Sequence, residues 1–142
     1  DIIIVLEPTA TLLSPESFRT FCRDYIQDVI SALSPISVLH VCGAASHLIK
    51  EMAATEADGL SLDASVDLCQ AAREVPSEVV VIGNIDPVRV IAQESPEGVS
   101  KATRELLDKM RPHQNFILST GCDIPYEAPF RNIDAFMKEG RL

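Results

Sequence analysis

Five short runs of β-branched and aliphatic residues recur along the chain: Ile2–Leu6, Ile36–Val41, Gly59–Leu62, Val79–Ile82 and Asn115–Ser119. Between them the apolar positions fall three or four apart, the period of a helix with one buried face. The first such stretch opens with Ser14, which can cap it, and Pro15, which suits the first helical position. Phe18, Phe21, Tyr25, Val29 and Leu33 then form its predicted apolar stripe. Ser95, Pro96 and Glu97 repeat the start signal before Val99, Ala102, Leu106 and Met110, while Asp86-Pro87 and Ala128-Pro129 open two shorter helices. This alternation predicts an α/β fold of parallel strands joined by crossover helices. Periodicity alone fits an open doubly wound sheet as well as part of a barrel. In both, functional side chains gather where strands run into the loops that follow.

Side chains two apart on a strand share a face, so Ile36, Val38, His40 and Cys42 point one way, with His40 and Cys42 at the strand's end. The same count puts Phe116, Leu118, Thr120 and Cys122 on one face of the last strand, and Ile3, Val5 and Glu7 on one face of the first. It brings Asp63 up beside Ser61, and Asn84 together with Asp86. Glu7, His40, Cys42, Asp63, Asn84, Asp86 and Cys122 are therefore expected at corresponding heights.

One imidazole and two thiols suit zinc, which takes nitrogen and sulfur ligands tetrahedrally, and His40, Cys42 and Cys122 are the expected metal ligands. A glycine stands beside each cysteine, Gly43 after Cys42 and Gly121 before Cys122. Three protein ligands leave a fourth position for a carboxylate or a substrate. Each other residue also has a plainer reading: Asp86 as a helix cap before Pro87, Asn84 as a turn-former after Gly83, Asp63 as a cap, and Glu7 as an acceptor for loop amides. His47 and His113 read as solvated surface residues, and Cys22 and Cys69 as small packing residues on helices.

Composition narrows the partners. Apolar residues make up 46% of the 142 positions and charged ones 23%, ordinary for a single packed domain, here taken to span residues 1–142. A net charge of -9 without a basic stripe argues against nucleic acid. No apolar run reaches the roughly 20 residues of a membrane-spanning helix, and the start DIIIVLEP lacks the basic region of a signal peptide. A cytoplasmic protein is the expectation, and the missing initial Met suggests that residue 1 is not the natural start.

The motif order EPTATLLSPESF, LHVCG, ADGLSLDASVDL, VIGNIDP and NFILSTGCDIPYEAPFRNIDAF resembles the C-terminal part of the uroporphyrinogen decarboxylase-like family. Within it the chain is similar to the zinc-dependent methylcobamide:thiol methyltransferases, of the coenzyme M type. LHVCG combined with STGCDIP is the specific part. The resemblance implies a partial (β/α)8 TIM barrel of about five parallel strands, with the family's His-x-Cys and distant Cys falling on His40, Cys42 and Cys122. It also implies zinc as cofactor, a methylated corrinoid delivered on a partner corrinoid protein, and a small thiol as methyl acceptor. In that scheme Asp63 and Glu7 are the catalytic candidates, Asn84 and Asp86 the substrate-binding ones, and Asp63 also lies near the acidic position of the similar cobalamin-independent methionine synthases. A uroporphyrinogen decarboxylase-type lyase and a non-catalytic domain with structural zinc are the competing readings. A closed barrel usually needs about 250 residues, so five strands would expose two pairing edges and favour homo-oligomers.

Overall fold

In a computed structural model, residues 1–32 and 34–141 are described. Five parallel strands, β1 (Ile2–Leu6), β2 (Ile36–Val41), β3 (Gly59–Leu62), β4 (Val80–Ile85) and β5 (Phe116–Thr120), lie side by side in chain order. A doubly wound sheet grows outward from its middle in both directions; here each crossover advances the same way, as in a barrel. The sheet is thus a five-stranded portion of a β/α barrel.

The helical segments are α1 (Pro15–Phe18), α2 (Asp24–Ser31), α3 (Ile49–Ala53), α4 (Leu68–Glu74), α5 (Pro96–Met110) and α6 (Phe130–Glu139), with π turns over Arg19–Arg23 and Pro87–Ala92. Their starts follow the capping chemistry. Ser14 accepts from the N–H of Ser17, Ser95 from Gly98, and Asp67 from Gln70. Proline stands at the first turn of α1, of α5 and of the π segment that Asp86 caps.

One stripe differs from expectation. Phe18 is fully buried, but Phe21 and Tyr25 are each 68% exposed and Val29 is 50% exposed. The face turned to the sheet is Phe18, Cys22, Ile26 and Ile30 instead. Both sets are apolar and helically spaced, and the π turn at Arg19–Arg23 adds a residue that rotates the second set inward. Leu33, the last of the expected stripe, lies outside the described residues.

Register decides which strand side chains meet. Leu6 pairs with His40 and His40 with Ser61, so these three share the inner face. Val5, Leu39, Leu60, Leu62 and Val81 face the helices and belong to the main core or pack on it. On β5, Ile117 pairs with Ile82 and Ser119 with Asn84, which puts them on the inner face. The inner surface is therefore graded along the strands. Aliphatic side chains such as Ile4, Val38, Val80 and Ile82 line its lower part, and His40, Ser61, Asn84 and Ser119 line the end where the loops begin.

Candidate metal and thiol site

Three donor atoms converge at the top of the inner face. His40 Nε2, Cys42 Sγ and Cys122 Sγ lie within 4.8 Å of one another. The separations are 3.3 Å for His40 to Cys42, 3.7 Å for His40 to Cys122 and 3.8 Å between the sulfurs. A tetrahedral zinc with bonds of about 2.3 Å to sulfur and about 2.05 Å to nitrogen spaces its ligands roughly 3.8 Å (S to S) and roughly 3.6 Å (N to S) apart. The three atoms thus form one face of such a tetrahedron, and the donor set fits zinc.

Each ligand is placed by its backbone. His40 is the penultimate residue of β2 at 7% exposure, and its Nδ1 lies 3.1 Å from the Ser61 carbonyl and 3.0 Å from the Ser61 hydroxyl. A carbonyl can only accept, so Nδ1 donates its proton there and the Nε2 lone pair is left facing the sulfurs. Beyond Cys42 the chain leaves the strand at Gly43, whose φ of +78° is left-handed and favours glycine.

Cys122 arrives by a different route. Phe116 and Leu118 pack among helix-facing residues, so the expected alternation along β5 does not carry Cys122 inward. The strand stops at Thr120, the Gly121 N–H donates to the Ile85 carbonyl at 2.8 Å, and Thr120 Oγ1 donates to the Cys122 carbonyl at 2.8 Å. A side chain at position 121 would stand 2.3 Å from the backbone nitrogen of Ala64, so only glycine lets this loop cross the one after β3. That crossing swings Cys122 over the end of β2.

The surroundings are acidic. Burial pushes the Cys42 thiol above its usual range, followed by its hydrogen bond with Cys122 and by the negative charges of Cys122, Asp63 and Asp123. Thiolates crowded among carboxylates need a cation between them. For Asp63, burial opposes the charged form, yet N–H donation from Ser65 and Gly43, the Ser65 hydroxyl and the nearby His40 hold its carboxyl below the ordinary range. Its Oδ1 accepts from the Ser65 N–H at 2.9 Å and from the Ser65 hydroxyl at 2.8 Å, and it stands outside the three-atom cluster.

The other expected site residues serve the loops. Glu7 follows Leu6, so the side chain on the inner face is Leu6 and not Glu7; Glu7 Oε1 accepts from the Thr9 N–H and hydroxyl. Asn84 does lie on the inner face, but its amide donates to the carbonyls of Asp63 at 2.9 Å and Val66 at 2.7 Å, tying the β3 loop to β4. Asp86 Oδ1 accepts from Val88 and Arg89 N–H groups and caps the π segment. His47, expected in solvent, is exposed but bonded to the Leu13 carbonyl at 2.9 Å. Cys22 and Cys69 pack against the core as expected. The cavity beside the cluster, about 160 Å³, is lined by Ile4, Leu6, Ser61, Ser119 and Asp123 together with His40, Thr120 and Cys122. Ser119 and Asp123 are not among the expected site residues, because the inner face of β5 carries Ile117 and Ser119 and so lies one residue out of phase with the expected alternation.

A portion of a parallel barrel carrying nitrogen and sulfur donors at its strand ends defines the class of this molecule. The uroporphyrinogen decarboxylase (URO-D) model matches residues 1–141, and the chain belongs to that family. It is 29% identical over 143 residues to a methylcobamide:CoM methyltransferase of Methanosarcina acetivorans, covering 97% of this chain and 41% of that protein. A uroporphyrinogen decarboxylase of Prochlorococcus marinus is 28% identical over 145 residues, covering 99% of this chain and 41% of the relative. Among solved structures, a methyltransferase from Methanosarcina mazei superposes with a TM-score of 0.89 at 23% identity, over 99% of this chain and 42% of its own. The chain thus spans about two fifths of the length of these relatives. Among the described residues no helix is long and apolar enough to cross a membrane.

Proposed function

We propose that the chain holds the metal and thiol wall of a zinc-dependent methyltransferase that moves a methyl group from a methylated corrinoid to a thiol acceptor such as coenzyme M. We place it as the C-terminal portion of the barrel. The convergence of His40 Nε2, Cys42 Sγ and Cys122 Sγ within 4.8 Å carries the reading. The names of relatives such as the Methanosarcina acetivorans protein support it.

Zinc, when bound, supplies the Lewis acidity that keeps an acceptor thiol as thiolate near neutral pH. The methyl donor is a corrinoid carried on a partner protein. His40, Cys42 and Cys122 hold the metal, and three protein ligands leave one position for the acceptor. Ser61 fixes the His40 tautomer. Asp63 acts as a positioning group through its charge beside His40 and Cys42. Glu7, Asn84 and Asp86 keep the loops after β1, β3 and β4 in place. Ile4 and Leu6 give the cavity an apolar wall.

A metal-independent lyase working through strand-end carboxylates leaves the three-atom cluster without a role. The chain spans about two fifths of the length of its relatives and is expected to be catalytically poor alone, so the test is its metal content together with methylcobalamin-dependent methylation of a thiol by the zinc-loaded protein with its whole barrel. About one zinc per chain and a methylated thiol are expected, both lost in His40→Ala and Cys122→Ser. Metal retained by both variants removes the cluster from the account.

A further inference from the structure

The two cysteines of the cluster touch each other. Their sulfurs lie 3.8 Å apart, which is van der Waals contact, although the residues are 80 positions apart in the chain. A disulfide needs a separation of about 2.05 Å, so closing this pair takes a movement of roughly 1.8 Å, shared between two χ1 rotations. Cys42 stands one residue beyond β2 and Cys122 two beyond β5, and neither backbone is held in the ladder. The other two cysteines are placed differently. Cys69 Sγ sits 3.6 Å from the Lys109 carbonyl and 3.6 Å from Met110 Sδ, and Cys22 packs against the core. A disulfide is also neutral, so it relieves the crowding of sulfur among Asp63 and Asp123 that a bound cation otherwise relieves.

We propose that Cys42 and Cys122 close into a reversible disulfide whenever they carry no metal, so that the same two sulfurs serve by turns as metal ligands and as a lock against the metal. The oxidant is a low-molecular-weight disulfide, the oxidised form of a small thiol. Its access rests on the reading that an acceptor thiol reaches these atoms. Cys122 lines the cavity and therefore attacks first. Its thiolate breaks the S–S bond of the small disulfide, and the thiolate that leaves takes up the proton. Cys42 then attacks the Cys122 sulfur of the mixed disulfide, its proton leaving with the second small thiol. Two hydrogens and two electrons pass from the protein to the small disulfide, and neither sulfur is left as the thiolate that zinc requires.

The test takes the metal-stripped protein with its whole barrel, treats it with 2-hydroxyethyl disulfide, traps free thiols with iodoacetamide and maps tryptic peptides by mass. Cys22, Cys42, Cys69 and Cys122 fall in peptides 20–23, 24–50, 51–73 and 110–131, so each pairing has its own mass. A link between 24–50 and 110–131 is expected, reversed by a phosphine. Loading zinc beforehand should slow it at least about 10-fold, because bound sulfurs are not free to attack. The linked protein should take up no zinc until it is reduced. In Cys42→Ser the small thiol should stay attached to Cys122. A mixed disulfide that persists on wild-type Cys122, a link through Cys22 or Cys69, or full zinc uptake by the linked protein overturns the proposal. Alkylation of both sulfurs without a link overturns it too, while leaving thiol access standing. Sulfurs inert to both reagents overturn the proposal and the thiol site together.

Discussion

The two faces of the sheet have been built to different ends. On the helix side, Leu39, Val41, Leu60, Leu62 and Val81 are completely buried in one continuous core. On the inner side, Ile2, Ile4, Leu6, Ile36 and Ile117 are between 53% and 67% exposed. Yet the inner side holds the donor cluster. The helix side stabilises the wedge, and the inner side gathers function at its polar end while its aliphatic lower part remains open along both edge strands. Stability and chemistry are therefore separable in this molecule, strand by strand and residue by residue.

Paired truncations test that separation most strongly. Leu39→Ala is expected to destabilise the chain by about 2–5 kcal/mol, whereas Ile4→Ala, already exposed, should cost less than about 1 kcal/mol, both read from urea unfolding. Equal losses would mean that the inner face is covered in solution by a second copy, which concentration-dependent unfolding would reveal. A smaller effect falls on the inner face alone: Ser61→Ala should weaken metal binding about 10-fold in chelator competition while leaving stability nearly unchanged. Unaltered metal affinity would remove the Ser61 hydroxyl from the orientation of His40.

The smallest effect lies at the opposite end of the strands. The Asp58 carboxylate accepts from the Ser37 N–H at 2.8 Å and the Ser37 hydroxyl at 3.0 Å, joining the start of β3 to β2. The Ser37 N–H, then its hydroxyl, hold the Asp58 carboxyl below the usual range. With the folded pKa below the unfolded value of about 3.9, this contribution is present above about pH 4 and lost as pH falls through the folded pKa. Asp58→Asn should therefore lower the neutral plateau slightly and flatten the acid limb, so that the two stability curves converge at low pH. An unchanged acid limb would assign no linkage to this carboxylate.

Much of this was legible in the residues. Strand and helix positions followed from period and caps, and three of the strand ends from alternation. His40 and Cys42 could be placed because they lie two apart on a single strand with the glycine turn immediately after. The alternation failed on β1 and β5, where the first and last strands contain apolar residues on both faces: Ile2 to Leu6 and Phe116 to Leu118 carry no polar mark of which side faces in. Cys122 was reached through the Gly121 crossing, a contact with Ala64 that sequence spacing does not encode. The π turn in the first helix likewise exchanged one apolar stripe for another of equal hydrophobic quality. Ser61 is a common residue whose role appears only once register sets it beside His40.

The most direct measurement of the central claim is X-ray absorption at the zinc edge on the metal-loaded chain. One zinc per chain is expected, with two sulfur ligands at about 2.3 Å, one imidazole nitrogen at about 2.0–2.1 Å and a fourth light ligand that gives way to sulfur when a thiol is added. A shell of oxygen and nitrogen without sulfur, or one that stays the same on adding thiol, would contradict it.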